Sequence, residues 1–377
     1  MKVYPSINTT LLSQAAATAD ARLWVKFPSL QKWIDGQAQP TVRQLADFAK
    51  TVHIPFGFFF LQQLPERKNT VPLFRSGSKT PHFDYSFELS ETINSIQRRQ
   101  DWLVEYLRSE QQEELPFVGR FTVTNTYIEI ANDIRKELKL PLNWSQFLSD
   151  KYTALKYLIK KAEDAGMYVA INGVIGNSNK NLNPEEFKGF VLSSKYAPYI
   201  FINGKDYPAA KLFTFMHELA HIWLDKSAAL DIERFMPANT ETERLCDAVA
   251  AELLVAETVL TTEWKKVANR DDHLDYLERF FKVSKIVIAR RLLDLGIYSK
   301  PQFFGFYNAY KAFWDKKKEE NGGGGSFYAN QPYRVGIKFF DTVNAAAASG
   351  KLLYTDAYKL TNLYGSTFTK FKSHLES

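Results

Sequence analysis

Residues Phe213 to Asp225 read FTFMHELAHIWLD, an apolar stretch that carries two histidines four apart with a glutamate directly after the first. The chain has six histidines, and His217 and His221 are two of them. On an α-helix, positions four apart lie on one face one turn above each other, so the two imidazoles can converge on a single ion. A zinc ion with three protein ligands keeps a fourth position for water and lowers the pKa of that water to about 7. Glu218, one residue after His217, is where a carboxylate could take the proton. The pattern therefore points to a hydrolytic site, and the rest of the chain must supply a third ligand.

Composition sets the frame for that site. With 377 residues, 45% of them hydrophobic and 15% aromatic, the chain can bury two or three ordinary cores. Cys246 is the single cysteine, so no internal disulfide forms. The first residues, MKVYPSINTT, lack the charged-then-apolar pattern of a secretory signal, and no apolar run reaches about eighteen residues. The expectation is a cytoplasmic protein with no membrane partner. Charge is uneven: residues 1–70 hold 8 Lys+Arg against 4 Asp+Glu, residues 261–377 hold 19 against 12, and the middle holds 21 against 26. Basic ends around an acidic middle suit contact with nucleic acid or an acidic protein.

Four regions are expected. In residues 1–70, LLSQAAATADARLW and SLQKWIDG have helical periodicity, and QPTVRQLADFAKTVHIPFGFFFLQQLP gives a turn, a helix over about 41–52 and a proline-bounded aromatic segment. Short helices with glycine or proline at their turns outline a helix-turn-helix module. Residues 71–115 form a helical connector built on a long helix over roughly 86–112. Residues 116–262 mix helix and strand: WSQFLSDKYTALKYLIKKAEDAG is an amphipathic helix, and MYVAING, FKGFVLSS and APYIFING read as strands. Residues 263–377 are helical, interrupted by NGGGGSFYANQ, whose glycine run taken alone reads as a flexible linker. The class is thus α+β, a small mixed sheet packed on the HExxH helices. An edge strand can hold a peptide by added main-chain pairing, and APYIFING, with Tyr199, Ile200 and Phe201, is the candidate for it.

The third ligand is sought downstream, in NTETERLCDAVAAELLV, a helix offering Glu241, Glu243 and Asp247. Glu243 and Asp247 lie four apart on one face; one could bind metal while the other orients a ligand histidine. Glu243 is the preferred ligand and Asp247 the orienting carboxylate.

FTFMHELAHIWLD followed by ETERLCDAVAAELLV resembles the ImmA/IrrE family of metallopeptidases, and the likeness extends upstream through GVIGNSNKNLNPEEFKGFVLSSKYAPYIFINGKD and downstream to VSKIVIARRLLDLG and GGGGSFYANQPYRVGIKFF. WIDGQAQPTVRQLADFAK is similar to the second half of the Xre-type DNA-binding domain of the long members. The resemblance implies zinc bound by His217, His221 and Glu243, Glu218 as general base, a protein substrate, and a native turn at the glycine run. It also implies that Gln31, Lys32, Gln37 and Arg43 are the residues in reach of DNA.

Two functions follow as expectations. One is a zinc endopeptidase that cleaves a regulatory protein such as a transcriptional repressor. The other is a DNA-binding regulator or antitoxin that uses the peptidase fold to hold a toxin, as a homodimer if specificity is to be reached.

Overall fold

A computed structural model of the chain describes residues 7–17, 22–52, 56–60, 73–74, 86–176, 180–206, 208–225, 228–230, 240–320 and 332–376. The glycine run read first as a linker and then as a turn lies outside the described residues. The chain divides into two compact units, residues 1–70 and 71–377.

Among the described residues the first unit holds four helices, α1 (Thr9–Ala17), α2 (Arg22–Lys26), α3 (Leu30–Ile34) and α4 (Val42–Val52), followed by a 3-10 turn over Phe56–Phe60. Its small core is organised around Phe48, whose ring meets Phe27 at 5.5 Å, Phe59 at 5.6 Å and Trp33 at 6.5 Å between centroids. Aromatic rings at these separations contribute beyond their buried area. The start of α4 is held by reciprocal bonds: the Gln44 amide donates to the Thr41 hydroxyl at 3.2 Å, and the Thr41 amide donates to Gln44 Oε1 at 2.9 Å.

The second unit is built on a five-stranded sheet in the order β1-β5-β3-β4-β2. The strands are β1 (Leu73–Phe74), β2 (Tyr168–Asn172), β3 (Gly189–Leu192), β4 (Tyr199–Asn203) and β5 (Ala228–Leu230). β2 runs parallel to β4, β3 runs antiparallel to both β4 and β5, and β1 runs parallel to β5. β3 and β4 are buried along their whole length, which is why their sequences read as continuous apolar runs without polar alternation.

Side chains of successive strand residues point to opposite faces, and here each face has its own cover. One face, with Val169, Val191, Ile200 and Ile202, packs in a core shared with α7 (Lys151–Asp164) and α8 (Pro208–Trp223). The other face, with Tyr168, Ala170, Phe190, Leu192, Tyr199 and Phe201, packs in a second core with α5 (Phe87–Ser109), α14 (Ile337–Ala348) and α16 (Ser366–Glu376). The C-terminal helices thus form one layer of the sheet domain. Gly336 makes this approach feasible: it adopts φ +91°, and a Cβ there would sit 2.6 Å from the Val169 carbonyl oxygen on β2. Outside the first face lie α6 (Tyr127–Glu137), α9 (Glu241–Leu254), α10 (Glu257–Val267), α11 (His273–Phe281) and α12 (Lys285–Asp294), with α13 (Lys300–Glu320) following and α15 (Tyr354–Thr361) between α14 and α16.

One sequence expectation is overturned. β4 was expected to be an open edge for a substrate peptide through Tyr199, Ile200 and Phe201. It pairs on both sides, with β2 and β3, so its main-chain donors and acceptors are consumed within the sheet. The three side chains are buried, at 0%, 0% and 2% exposure. An apolar run bounded by proline and glycine does not distinguish an edge strand from an inner one, and here the inner reading holds.

α7 and α14 meet at a charged contact. Half-buried Glu163 accepts the Lys338 amide at 3.3 Å, and the Lys338 ammonium donates to the Glu163 carbonyl oxygen. Burial raises the Glu163 carboxyl to about 7, against the partial opposition of Lys338. A carboxyl with a raised folded-state pKa binds its proton more tightly in the folded state, so stability falls as pH rises from its ordinary value near 4.5 to about 7. Glu163→Gln removes that penalty. Thermal unfolding at pH 8 should show a midpoint raised by roughly 2 °C or more, and the difference from wild type should vanish near pH 4.

Candidate metal centre

α8 is largely enclosed within the sheet domain. Leu212, Phe213, Phe215, Met216, Leu219, Ala220, Ile222 and Trp223 are all buried on it, so beyond Lys211 and Thr214 its polar groups are confined to where His217, Glu218 and His221 lie. Proline is its first helical residue, a position where the missing N–H costs nothing. Its far end is received by residues 117–121: the Gly119 amide donates to the Ile222 carbonyl and the Phe121 amide to the Trp223 carbonyl, both at 3.0 Å. Phe117 stacks on Trp223 with centroids 4.6 Å apart, and Trp223 Nε1 donates to Asp133 Oδ2 at 2.8 Å. Both the axial position and the rotation of the helix are therefore held. On the sheet side, a Cβ at Gly189 of β3 would lie 2.7 Å from Thr214 Cγ2, so the absent side chain lets α8 sit close to the strands.

α9 crosses beside α8 and carries the remaining groups. Thr240 caps it, accepting the Glu243 amide at 3.2 Å. Glu252, nearer its other end, is bound by two guanidiniums: Arg135 lies 3.5 Å from Oε1 and Arg291 donates to Oε2. A buried ion group of this kind adds little net stability but costs several kcal/mol if one member is removed, so it fixes how α6, α9 and α12 sit together.

Between these helices the predicted residues come together. His217 Nε2 lies 3.1 Å from His221 Nε2 and 3.0 Å from Glu243 Oε2, and His221 Nε2 lies 3.4 Å from Glu243 Oε1. Two imidazole nitrogens and a carboxylate oxygen facing one point, on residues 1%, 1% and 6% exposed, are a ligand set. With metal–nitrogen bonds of about 2.0–2.1 Å, neighbouring donors on a tetrahedral ion lie about 3.3 Å apart, which is close to all three separations. Glu243 Oε1 makes no hydrogen bond among the described residues. A buried carboxylate oxygen without one is the kind of group a cation completes.

Asp247 Oδ1 lies 2.8 Å from His217 Nδ1, on the side of the ring away from the ligand cluster. That contact orients the imidazole and keeps Nε2 turned toward Glu243. Burial opposes a charge on His217, but hydrogen bonds to Asp247 and Glu243 and the charges of both carboxylates outweigh it and push its pKa up to about 10. Burial likewise opposes ionisation of Glu243, yet the charge of His221 and the bonds to both histidines hold it well below the usual carboxylate range. The cluster is therefore built to stabilise positive charge in a dry setting, which is what holding a divalent cation requires.

Glu218 is fully buried beside His217. Cys246, also fully buried, has its thiol raised well above the ordinary value by burial and by the charges of Glu243, Asp247 and Glu218. It stays protonated and is no part of the ligand set. Glu241, one of the three carboxylates open as the third ligand, is exposed, so the register of α9 selects Glu243. Gln31, Lys32, Gln37 and Arg43 are all exposed on the first unit, where α3 spans only five residues. The sequence places the start of α9 after Asn239 or Thr240, and Thr240 is the cap; the positioning residues it does not mark are Gly189 and the 117–121 segment. Only Thr240 left a local signal, the Thr-x-x-Glu pattern of a helix start.

Residues 178–293 match a peptidase family model described as the IrrE N-terminal-like domain. Residues 335–374 match a model described as a domain of unknown function. No curated protein matches the chain. The first match contains both histidines and Glu243, and no described helix is long and apolar enough to cross a membrane.

The purified chain should hold one divalent metal per molecule, and elemental analysis should show that ion lost in His221→Ala. Glu243→Ala should lower metal content in the same way while Glu241→Ala retains it. The reverse order for the two glutamates would place the ligand two residues away from where the structure has it.

Proposed function

We propose, from the IrrE-like metallopeptidase domain that this chain carries, that it is a zinc endopeptidase cutting a regulatory protein such as a transcriptional repressor. The observation that carries this reading is the set of three donors on two packed helices with a second buried carboxylate, Glu218, next to the first ligand. A structural zinc site would be closed by four protein ligands, whereas three leave a position for the reaction. Zinc held there would supply a Lewis acid that brings the pKa of water to about 7.

The chain's own residues supply the rest. Glu218 is the general base, taking a proton from the attacking water and returning it to the leaving amine. Asp247 holds His217 in the tautomer whose Nε2 faces the cluster. The buried walls around α8 exclude bulk water, so each of these charge interactions is stronger than it would be at the surface. Substrate main chain cannot pair with β4, which is paired on both sides.

Glu218→Gln separates this reading from a scaffold role. The variant should keep its metal, because residue 218 is outside the ligand set, and should lose cleavage of the partner by a factor of about 100 or more, the usual scale for a general base. A variant that cuts as fast as wild type would remove Glu218 from the chemistry.

A second reading concerns residues 1–70, which we propose as a module that contacts DNA. It rests on the exposure of Gln31, Lys32, Gln37 and Arg43 on a small basic helical unit. With α2 and α3 only five residues each, few side chains can reach base edges, and contact with phosphates dominates. Gel shifts should therefore show weak binding to the chain's own promoter, little preference over scrambled duplex, and steep loss with added salt. Tight, sequence-selective binding that survives physiological salt would favour the regulator reading, with a toxin as the protein partner.

A further inference from the structure

The C-terminal layer ends in a helix, a four-residue turn and a second helix: α15 (Tyr354–Thr361), residues 362–365 and α16 (Ser366–Glu376). Asn362, at φ +55°, ends α15 in the left-handed region, and Gly365, at φ +53°, completes the reversal. Thr361 fixes the turn, since its buried hydroxyl donates to the Ala357 carbonyl at 2.8 Å and accepts the Leu363 amide at 3.3 Å. Phe368 of α16 is the hub of the packing: its ring lies 4.9 Å from Phe340 of α14, and 5.5 Å and 6.3 Å from Tyr358 and Tyr354 of α15. Phe371, three residues on, meets Phe340 at 4.6 Å. Both α14 and α15 thus pack on one side of α16, with the connectivity of a helix-turn-helix.

The other side of α16 is exposed. Ser366, Thr369, Lys370 and Ser373 have the i, i+3, i+4, i+7 spacing of one helical face, with Thr367 beside them, and all five are exposed. Tyr364, 61% exposed, stands in the turn just before them. Between Ala357 and Leu375 the chain has Lys359, Lys370 and Lys372 and no Asp or Glu, where the overall 42 acids in 377 residues would put about two. A helix face that serves solubility alone mixes both signs. Lys359 pairs with Asp356 at 2.9 Å and Lys351 with Glu110 at 2.7 Å, both outside that run, whereas Lys370 has no ion pair among the described residues. Arg98 of α5 is exposed and lines the same small cavity as Asn362, so a guanidinium borders the turn.

We propose that the exposed face of α16, with Tyr364, docks in the major groove of duplex DNA and is held there by the flanking phosphates. Serine, threonine and tyrosine hydroxyls and lysine ammoniums are the donors that bind phosphate oxygens, and an acid-free face meets no repulsion from them. The shape selects the duplex. The major groove of B-form DNA admits an α-helix, while that of A-form RNA is too narrow for side chains to read. Short serine and threonine side chains let α16 approach closely, and contacts made to phosphates are tolerant of sequence. The surface is distinct from residues 1–70 and belongs to the unit that holds the metal centre. Helices α14 to α16 also coincide with the second family match, residues 335–374, which gives that segment a task of its own. Under the endopeptidase reading, the surface keeps the metal centre near substrates that are themselves bound to DNA, although DNA docking does not depend on that reading.

The test is fluorescence anisotropy of a labelled DNA duplex of about 20 base pairs, titrated with the full chain at about 50 and about 200 mM salt. Two double variants separate the two surfaces: Lys32→Glu/Arg43→Glu in the first unit and Thr367→Glu/Lys370→Glu on α16. All four residues are exposed, so unfolding midpoint and metal content should match wild type in each. The first variant should retain binding at low salt, and adding the α16 pair to it should weaken that binding about tenfold or more. In the same background the milder Lys370→Gln should lower the slope of log affinity against log salt by about 1, the release of one phosphate contact. Affinity that is the same with and without the α16 substitutions overturns the proposal, as does tighter binding of an RNA duplex than of DNA. Complete loss of binding in Lys32→Glu/Arg43→Glu overturns it too and leaves the reading of residues 1–70 standing. Loss confined to the α16 variants supports it and removes the first unit from DNA contact. A wild-type chain that binds no duplex at low salt overturns both.

Discussion

Two imidazoles and two carboxylates face one another across the buried contact of α8 and α9, and the domain is arranged around that constraint. Ionised groups in a dry interior are costly unless each has a counter-charge at hydrogen-bond distance. Glu243 between the histidines and Asp247 behind His217 meet this condition only if both helices are held in register to within a fraction of an ångström. The supports are correspondingly dense. Residues 117–121 take up the end of α8, Gly189 lets it lie against the sheet, Thr240 starts α9, and the Arg135–Glu252–Arg291 group fixes α9 further along.

The sheet is what gives α8 a rigid floor, and its second face explains the length of the chain. A sheet with two apolar faces needs two covers. The first cover carries the metal ligands, and the second is assembled from α5 and the C-terminal helices, which come from parts of the sequence more than two hundred residues apart. A small cavity lined by Arg98, Arg99 and Arg334 exists only because those distant segments meet there. The two cores share the strand β4, whose alternate residues line the two sides.

Much of the fold was legible because its signals are local. Helical periodicity predicts one helix over 144–166, which the structure divides into a 3-10 turn at Trp144–Phe147 and the helix Lys151–Asp164, and the three apolar runs after it became β2, β3 and β4 within a few residues of their expected limits. The rank of β4 within the sheet was not legible, since strand order is set by long-range pairing and an apolar run is the same in either place. In α9 a local rule even pointed elsewhere. Thr240 and Glu243 have the spacing of a reciprocal capping box, yet the glutamate side chain turns to the histidines and only the backbone half of the motif forms.

The sequence by itself determined the ligand types and the spacing that puts His217 and His221 on one helical face, because four residues is one turn of any α-helix. It also narrowed the third ligand to a short list on one helix. Only the tertiary structure decided that Glu243 and not Glu241 completes the set, because burial depends on how α9 is rotated against α8. The same holds for Arg98, Arg99 and Arg334. Nothing in their local sequences predicts that they meet, and it is the closing of the C-terminal layer over the sheet that gathers them around one small space.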